Sequence, residues 1–85
     1  MSQIVSPEVM VRVESATDES EEIPVIVTFA PGTDPAVLER TGMRINQVME
    51  NIPAAAGTVA GADITTLAAL DEVQRVEYDG EMHAL

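Results

Sequence analysis

Residues 23–29 read IPVIVTF and give the strongest strand signal in this chain of 85 residues. β-Branched residues favour the pleated backbone, and a nearly continuous apolar run is typical of a strand that is covered on one or both faces. Pro24 has no N–H to donate to a ladder, so it fits only at the start of such a strand. We therefore expect residues 23–29 to form a central strand of a sheet.

A short helix is predicted after this strand. The turn APGT is followed by Asp34 and Pro35, a pair that starts helices because the Asp side chain accepts free amides and Pro is preset for the first helical position. The helix runs through Arg40 and stops at Gly42, which can adopt the left-handed conformation that ends helices. It is barely two turns long.

The rest of the chain predicts two strands, a helix and a last strand. Residues 43–52 form the second strand, with a slip at Gln47-Val48-Met49, and residues 54–60 form a strand of small residues. Asp63 is predicted to cap a helix over 64–70, whose apolar residues recur at spacings of three and four. The last strand covers Val73 to Tyr78.

This order of elements indicates an α+β fold. Strand, helix, strand, strand, helix, strand is the βαββαβ pattern of the ferredoxin-like sandwich, a four-stranded antiparallel sheet with two helices on one face. The predicted domain spans residues 23–85 and ends in a tail at 80–85. Residues 1–22 are predicted to be an N-terminal arm and acidic loop, in which alternating Val9, Val11 and Val13 suggest an edge strand or an extended arm.

The composition restricts the partners. Four basic residues against 15 acidic ones give a net charge of −11, which argues against nucleic acid and anionic membranes as partners. Five of the nine residues from Glu14 to Glu22 are acidic, which indicates a solvated loop or a docking site for a basic partner. The spacing of these acids is not that of an EF-hand calcium loop.

The core has to be aliphatic. The chain has one Tyr and one Phe, while 46% of its residues are hydrophobic. A core built from Val, Ile, Leu, Met and Ala in a chain this short predicts modest stability, which a partner would increase.

No catalytic constellation is predicted. The candidate nucleophiles are Ser and Thr residues in the N-terminal segment or at element edges, and His83 is the one candidate base. Adjacent carboxylates such as Asp71 and Glu72 do not face each other across a cleft. Gly57 and Gly61 do not fit a phosphate-binding loop, and a single His without Cys makes a metal site improbable. We expect a protein that is not an enzyme and needs neither a cofactor nor a metal.

The N-terminus suggests no export. MSQIVSPEVM has neither a basic region nor a long apolar run, and no stretch approaches the length of a membrane span. If Met1 is the native start, we expect a cytoplasmic protein that is a monomer when free.

The end of the chain resembles a known family. VQRVEYDGEMHAL (residues 73–85) is similar to the C-terminal end of subtilisin propeptides, in which a strand of the type V-x-x-V-E-x-D precedes an extended tail with a large last residue. Upstream, IPVIVTFAPG resembles the opening strand and turn of the family. IPAAAGTVA resembles its small-residue strand, and DITTLAALDEV its second helix. The resemblance covers roughly residues 23–85.

The resemblance implies how the chain would bind a protease. In the family, the sheet packs on the protease and the tail lies in the active-site cleft as the acyl half of a cleaved substrate. Glu77 and Asp79 match acidic positions that face the N-terminal ends of two protease helices, and Gly80 departs from the usual larger residue. By resemblance, Leu85 enters the primary specificity pocket, Met82 enters a second apolar pocket, and the tail comprises Glu81, Met82, His83, Ala84 and Leu85.

Three functions follow from these observations. The first is a stand-alone protein that inhibits a subtilisin-like serine protease in trans. Assistance in folding that protease is an additional role of the same kind. The second is a ferredoxin-like module that binds a small molecule or dimerises through its sheet. The third is a structural adaptor that docks a basic partner on its acidic arm.

Overall fold

A computed structural model describes residues 4–15, 21–49 and 51–79 of the chain. It is a small α+β structure with one open, four-stranded antiparallel sheet and a few short helices. The elements in chain order are α1 (Pro7–Ser15), β1 (Glu22–Phe29), α2 (Ala36–Glu39), β2 (Arg44–Val48), β3 (Ala54–Ala60), a 3₁₀ turn (Gly61–Asp63), α3 (Ile64–Ala68) and β4 (Val73–Tyr78).

The sheet is centred on β1, as its sequence predicts. The strand order is β2-β3-β1-β4, and every neighbouring pair is antiparallel. Val25 lies opposite Gly57 of β3 and Tyr78 of β4, which fixes the register across the three strands. Pro24 is tolerated near the start of β1, where it lies opposite Thr58. This strand order is compatible with a ferredoxin-like fold.

The predicted second strand is shorter than expected, and its irregularity lies earlier. β2 covers Arg44–Val48 instead of residues 43–52, and the register against β3 shifts between Ile45 and Gln47. Such a bulge leaves one residue unpaired and increases the local twist.

One aliphatic core holds the sheet and the helices together. The inward residues of β1 share a single cluster with Val9 of α1, Leu38 of α2 and Leu67 of α3, and each of these three helical side chains is 0% exposed. Burying a side chain of this size contributes about 1.5–3 kcal/mol relative to leaving it in water. The short helices therefore depend on the sheet for their stability.

The prediction of an edge strand or extended arm at Val9–Val13 is wrong, because these residues belong to the helix α1. Val9 is buried in the core cluster, Val13 packs against it, and Val11 is 57% exposed. Positions i and i+4 share a face of a helix, so the first and third Val face the core while the middle one faces water. Before this helix, Val5 makes a strand-like contact, an isolated parallel bridge to Val76 of β4.

Both predicted helices are shorter than expected, since α2 ends at Glu39 with Pro35 as its N-cap and α3 ends at Ala68. The Asp34 contact and the left-handed Gly42 are confirmed, and the Asp63 cap is wrong. The Ala36 amide donates to Asp34 Oδ1 at 3.0 Å, and Gly42 has the left-handed φ of +107°. Asp63, in contrast, occupies the N-cap position of α3 without a side-chain hydrogen bond to it. Its carboxylate lies against Gly42 instead, and a 3₁₀ turn leads into the helix.

Among the residues that the structure describes, no helix is both long enough and apolar enough to cross a lipid bilayer.

Candidate docking surface

Alternation along β1 gives the sheet two different faces. Val25 and Val27 face the core cluster, so Ile26 and Thr28 lie on the opposite face, which we call the outer face. The register then assigns the outer-face residues of the other strands. They are Glu22, Pro24, Ile26 and Thr28 of β1, Ala54, Ala56, Thr58 and Ala60 of β3, Arg44 and Gln47 of β2, and Arg75 and Glu77 of β4.

Small side chains dominate the middle of the outer face. Ala54 and Ala56 of β3 are buried, at 0% and 6% exposure, and the neighbouring Ile26 and Thr28 are half-buried. Because neighbouring groups cover Ala54 and Ala56 almost completely, the accessible surface at this point is supplied by Ile26 and Thr28. The face thus combines a low apolar centre with longer polar side chains around it.

Two ion pairs flank this apolar centre. On one side, Arg44 Nε lies 3.8 Å from Glu22 Oε2, and the Thr58 hydroxyl donates to the other oxygen of the same carboxylate. On the other side, Arg75 Nε lies 4.0 Å from Glu77 Oε2. All four charged side chains are well exposed, so each pair contributes well below about 1 kcal/mol to folding. Their carboxylates remain accessible to a partner.

The end of β4 carries the two acids that the sequence singles out. Glu77 lies opposite Ile26 and therefore belongs to the outer face. The Asp79 amide donates to the Pro24 carbonyl at 3.0 Å, which continues the pairing one residue beyond Tyr78. Because side chains alternate along an extended chain, the pairing places Asp79 on the same side as Glu77. The two acids thus lie next to each other where the chain leaves the sheet.

The predicted tail lies outside the described residues, which end at Asp79. This applies to the departing residue Gly80 and to all five tail residues, Glu81, Met82, His83, Ala84 and Leu85.

Arg12 is a residue of this region that the sequence analysis missed. Its guanidinium carbon lies 4.6 Å from the centroid of the Tyr78 ring, on the core side of β4. It was missed because residues 9–13 were interpreted as extended, although a helix start was present in Ser6-Pro7-Glu8. Ser is a preferred N-cap and Pro is favoured at the first helical position.

Two cavities lined by described residues lie beside this region and at the opposite end of the sheet. One of about 210 Å³ lies between α1, the start of β1 and Tyr78, with Arg12 and Glu22 in its wall. Another lies beside the exposed Val48 and Ile52 at the far end of β2. Within residues 4–15, 21–49 and 51–79, no three His, Cys, Asp or Glu side chains are grouped so as to hold a metal ion.

Comparison with known proteins gives no match to a family model and no significant similarity to a curated sequence. The site is therefore defined by its own geometry. It is an exposed sheet face with an apolar centre, flanked by ion pairs and bordered by two acids at the end of β4.

Proposed function

We propose that the chain is a protein inhibitor of a subtilisin-like serine protease, and that its fold is ferredoxin-like. The outer face would pack on the protease, and the tail at residues 81–85 would occupy the active-site cleft as a product mimic. The strand order β2-β3-β1-β4 and the helices contributing to one core support the fold assignment. By the same contacts the chain could assist the folding of its protease, since a ligand that binds only the folded state stabilises it.

The placement of Glu77 and Asp79 carries the proposal. Both acids lie on the outer face at the C-terminal end of β4. In the sequence, only Gly80 separates Asp79 from the tail at residues 81–85. A carboxylate at the N-terminus of a partner helix meets free amides and the positive end of the helix dipole. Each such contact contributes about 0.3–1 kcal/mol at an exposed site.

The tail has the length and the chemistry for a protease cleft. Five extended residues span about 16 Å at roughly 3.3 Å per residue, enough to reach from the sheet end into a neighbouring groove. An extended peptide pairs its backbone with strands that line a cleft while alternate side chains enter pockets. Leu85 and Met82 are the apolar side chains that would fill two of these pockets.

Titration against a subtilisin tests the proposal directly. Hydrolysis of a chromogenic peptide is followed at increasing concentrations of the intact chain, of a variant lacking the last four residues, and of Leu85→Asp. We expect the intact chain to inhibit, the truncation to raise the inhibition constant by orders of magnitude, and Leu85→Asp to weaken binding to an enzyme with an apolar primary pocket. Glu39→Gln on α2, away from the outer face, is the control and should inhibit like the intact chain.

Two outcomes contradict the proposal at different levels. If the truncated chain inhibits as well as the intact one, the tail does not occupy the cleft. If the intact chain inhibits no subtilisin-like enzyme at any concentration, the proposed function is wrong.

The second candidate is a ferredoxin-like module that binds a small molecule or dimerises through its sheet. The observation that favours it is the apolar centre of the outer face, around Ile26 and Ala56, which a second copy could cover. Against dimerisation stands the charge of −11 on each copy, which opposes self-association. Sedimentation at low and high salt separates the two, because a dimer of this kind would strengthen as salt screens the repulsion.

A further inference from the structure

The segment preceding β1 makes its strand-like contacts with β4. The Val76 amide donates to the Ile4 carbonyl at 2.8 Å, and the Ser6 amide donates to the Val76 carbonyl at 2.9 Å. The Val76 amide and carbonyl on the edge of β4 that points away from β1 are thereby both hydrogen-bonded. An edge strand without such a neighbour leaves a row of unpaired amides and carbonyls. Residues 4–6 therefore cover the free edge of β4 at Val76.

The helix that follows contacts the core face of the same strand. Val9 is 0% exposed within the cluster that contains Val76, and Arg12 lies over the ring of Tyr78. A cation over an aromatic ring is attracted to its negative face. Backbone pairing at the edge and side-chain packing on the core face thus hold β4 from two directions, while its outer face stays open.

We propose that residues 4–15 act as an intramolecular strap that fixes the end of β4, with Arg12 as a positioning residue. The strand that the strap holds is the one that carries Glu77 on its outer face and continues into Asp79 and the tail. This proposal deepens the proposed function and rests on it for what β4 presents to a protease.

The strap matters because of where the cost of ordering falls. A binding segment that becomes ordered only on contact subtracts that cost from its affinity, whereas a segment that is already fixed does not. Arg12 contacts Tyr78, one residue before Asp79 and two before Gly80. It therefore acts at Tyr78, the last residue of β4.

Substitution of Arg12 tests the strap with a matched control. Arg12→Gln and Arg40→Gln each remove one positive charge, but only the first removes the contact with Tyr78. Arg12→Lys keeps a cation that can still approach the ring. The chain contains one Tyr and no Trp, so the near-ultraviolet circular dichroism of Tyr reports on Tyr78 alone.

We expect Arg12→Gln to lose at least half of the Tyr signal while its far-ultraviolet spectrum stays that of the folded chain. Arg40→Gln should retain the signal, and Arg12→Lys should recover part of it. In the protease titration, Arg12→Gln should raise the inhibition constant about two- to fivefold, the range expected for loss of an exposed cation–π contact. Arg40→Gln should leave the inhibition constant unchanged.

An unchanged Tyr signal in Arg12→Gln, or an equal loss in Arg40→Gln, overturns the role of Arg12. Hydrogen exchange of the unmodified chain tests the strap even if Arg12→Gln fails to fold. Protection of the Ser6 and Val76 amides comparable to that of Val27 in the central strand β1 supports the strap, and exchange at both amides more than 100-fold faster than at Val27 overturns it. These spectroscopic readouts need no protease, so a chain that inhibits nothing refutes the proposed function without deciding the strap.

Discussion

Gly57 lies at the closest approach between β2 and β3. A Cβ atom on Gly57 would overlap the carbonyl oxygen of Arg44 and would lie 2.9 Å from the carbonyl carbon of that residue and 3.0 Å from Ile45 Cα. All three atoms belong to the backbone of β2, beside the bulge that shifts the register between Ile45 and Gln47. A side chain can rotate away from a new methyl group, but a paired strand has to move as a whole. Gly57→Ala therefore forces β2 away from β3.

The cost of Gly57→Ala follows from this geometry. Overpacking typically costs about 1–3 kcal/mol, and we expect the upper end because no flexible side chain can yield. A loss of about 3 kcal/mol lowers the melting temperature of a domain of this size by roughly 12–24 °C. It also consumes a large share of the stability of a small domain.

Gly32→Ala is the matched control. Gly32 has a φ of +87°, and a Cβ there would meet nothing within 4 Å. The substitution therefore costs only the left-handed backbone penalty of about 1–2 kcal/mol, less the gain of about 0.4–1 kcal/mol from restricting the unfolded chain. Urea unfolding followed by far-ultraviolet circular dichroism measures both variants. If Gly57→Ala is destabilised no more than Gly32→Ala, the close approach of β2 to β3 is wrong.

Two other predictions concern the helix α1 and the strand β4. Val9→Ala should lower the free energy of unfolding by about 2 kcal/mol, from the lost burial of methyl groups and the cavity left behind. Val11→Ala on the exposed side of α1 should change it by less than about 0.5 kcal/mol, and equal effects in urea unfolding would contradict the helix. If the chain inhibits a protease as proposed, Glu77→Gln should raise the inhibition constant about two- to fivefold, because it removes the carboxylate that would face the N-terminus of a protease helix. Its effect should shrink at high salt, and an effect that is independent of salt would argue against an electrostatic contact.

Much of the sheet could be predicted from the sequence. β1, β3 and β4 lie within one residue of their predicted bounds, because β-branched runs there are interrupted by Pro, Gly or Asp. The strand β2 is shorter than predicted, since Met49 and Ile52 are apolar although the strand ends at Val48. Hydrophobicity records burial and β propensity, whereas the end of a ladder depends on the neighbouring strand.

α1 shows why alternation alone misleads over five residues. Val at positions 9, 11 and 13 satisfies a strand period, but Val9 and Val13 are also separated by the four residues of a helical turn. The N-terminal signal Ser6-Pro7 distinguishes the two structures and favours the helix. Deleting residues 1–22 would remove Val9 from the core together with the acidic segment, so this deletion cannot isolate a docking role of that segment.

The distribution of charge adds an argument for the outer face as the docking surface. The strands place Glu22 and Glu77 there together with Arg44 and Arg75, and the pairing of Asp79 with Pro24 adds a third acid, so the net charge of this face is −1. Among the described residues that lie elsewhere, eight are acidic and two are Arg, which gives those surfaces a net charge of −6. An acidic partner is therefore repelled less by the outer face than by the other described surfaces. Like charges suppress wrong orientations more than they weaken the right one, so this arrangement favours encounter through the sheet.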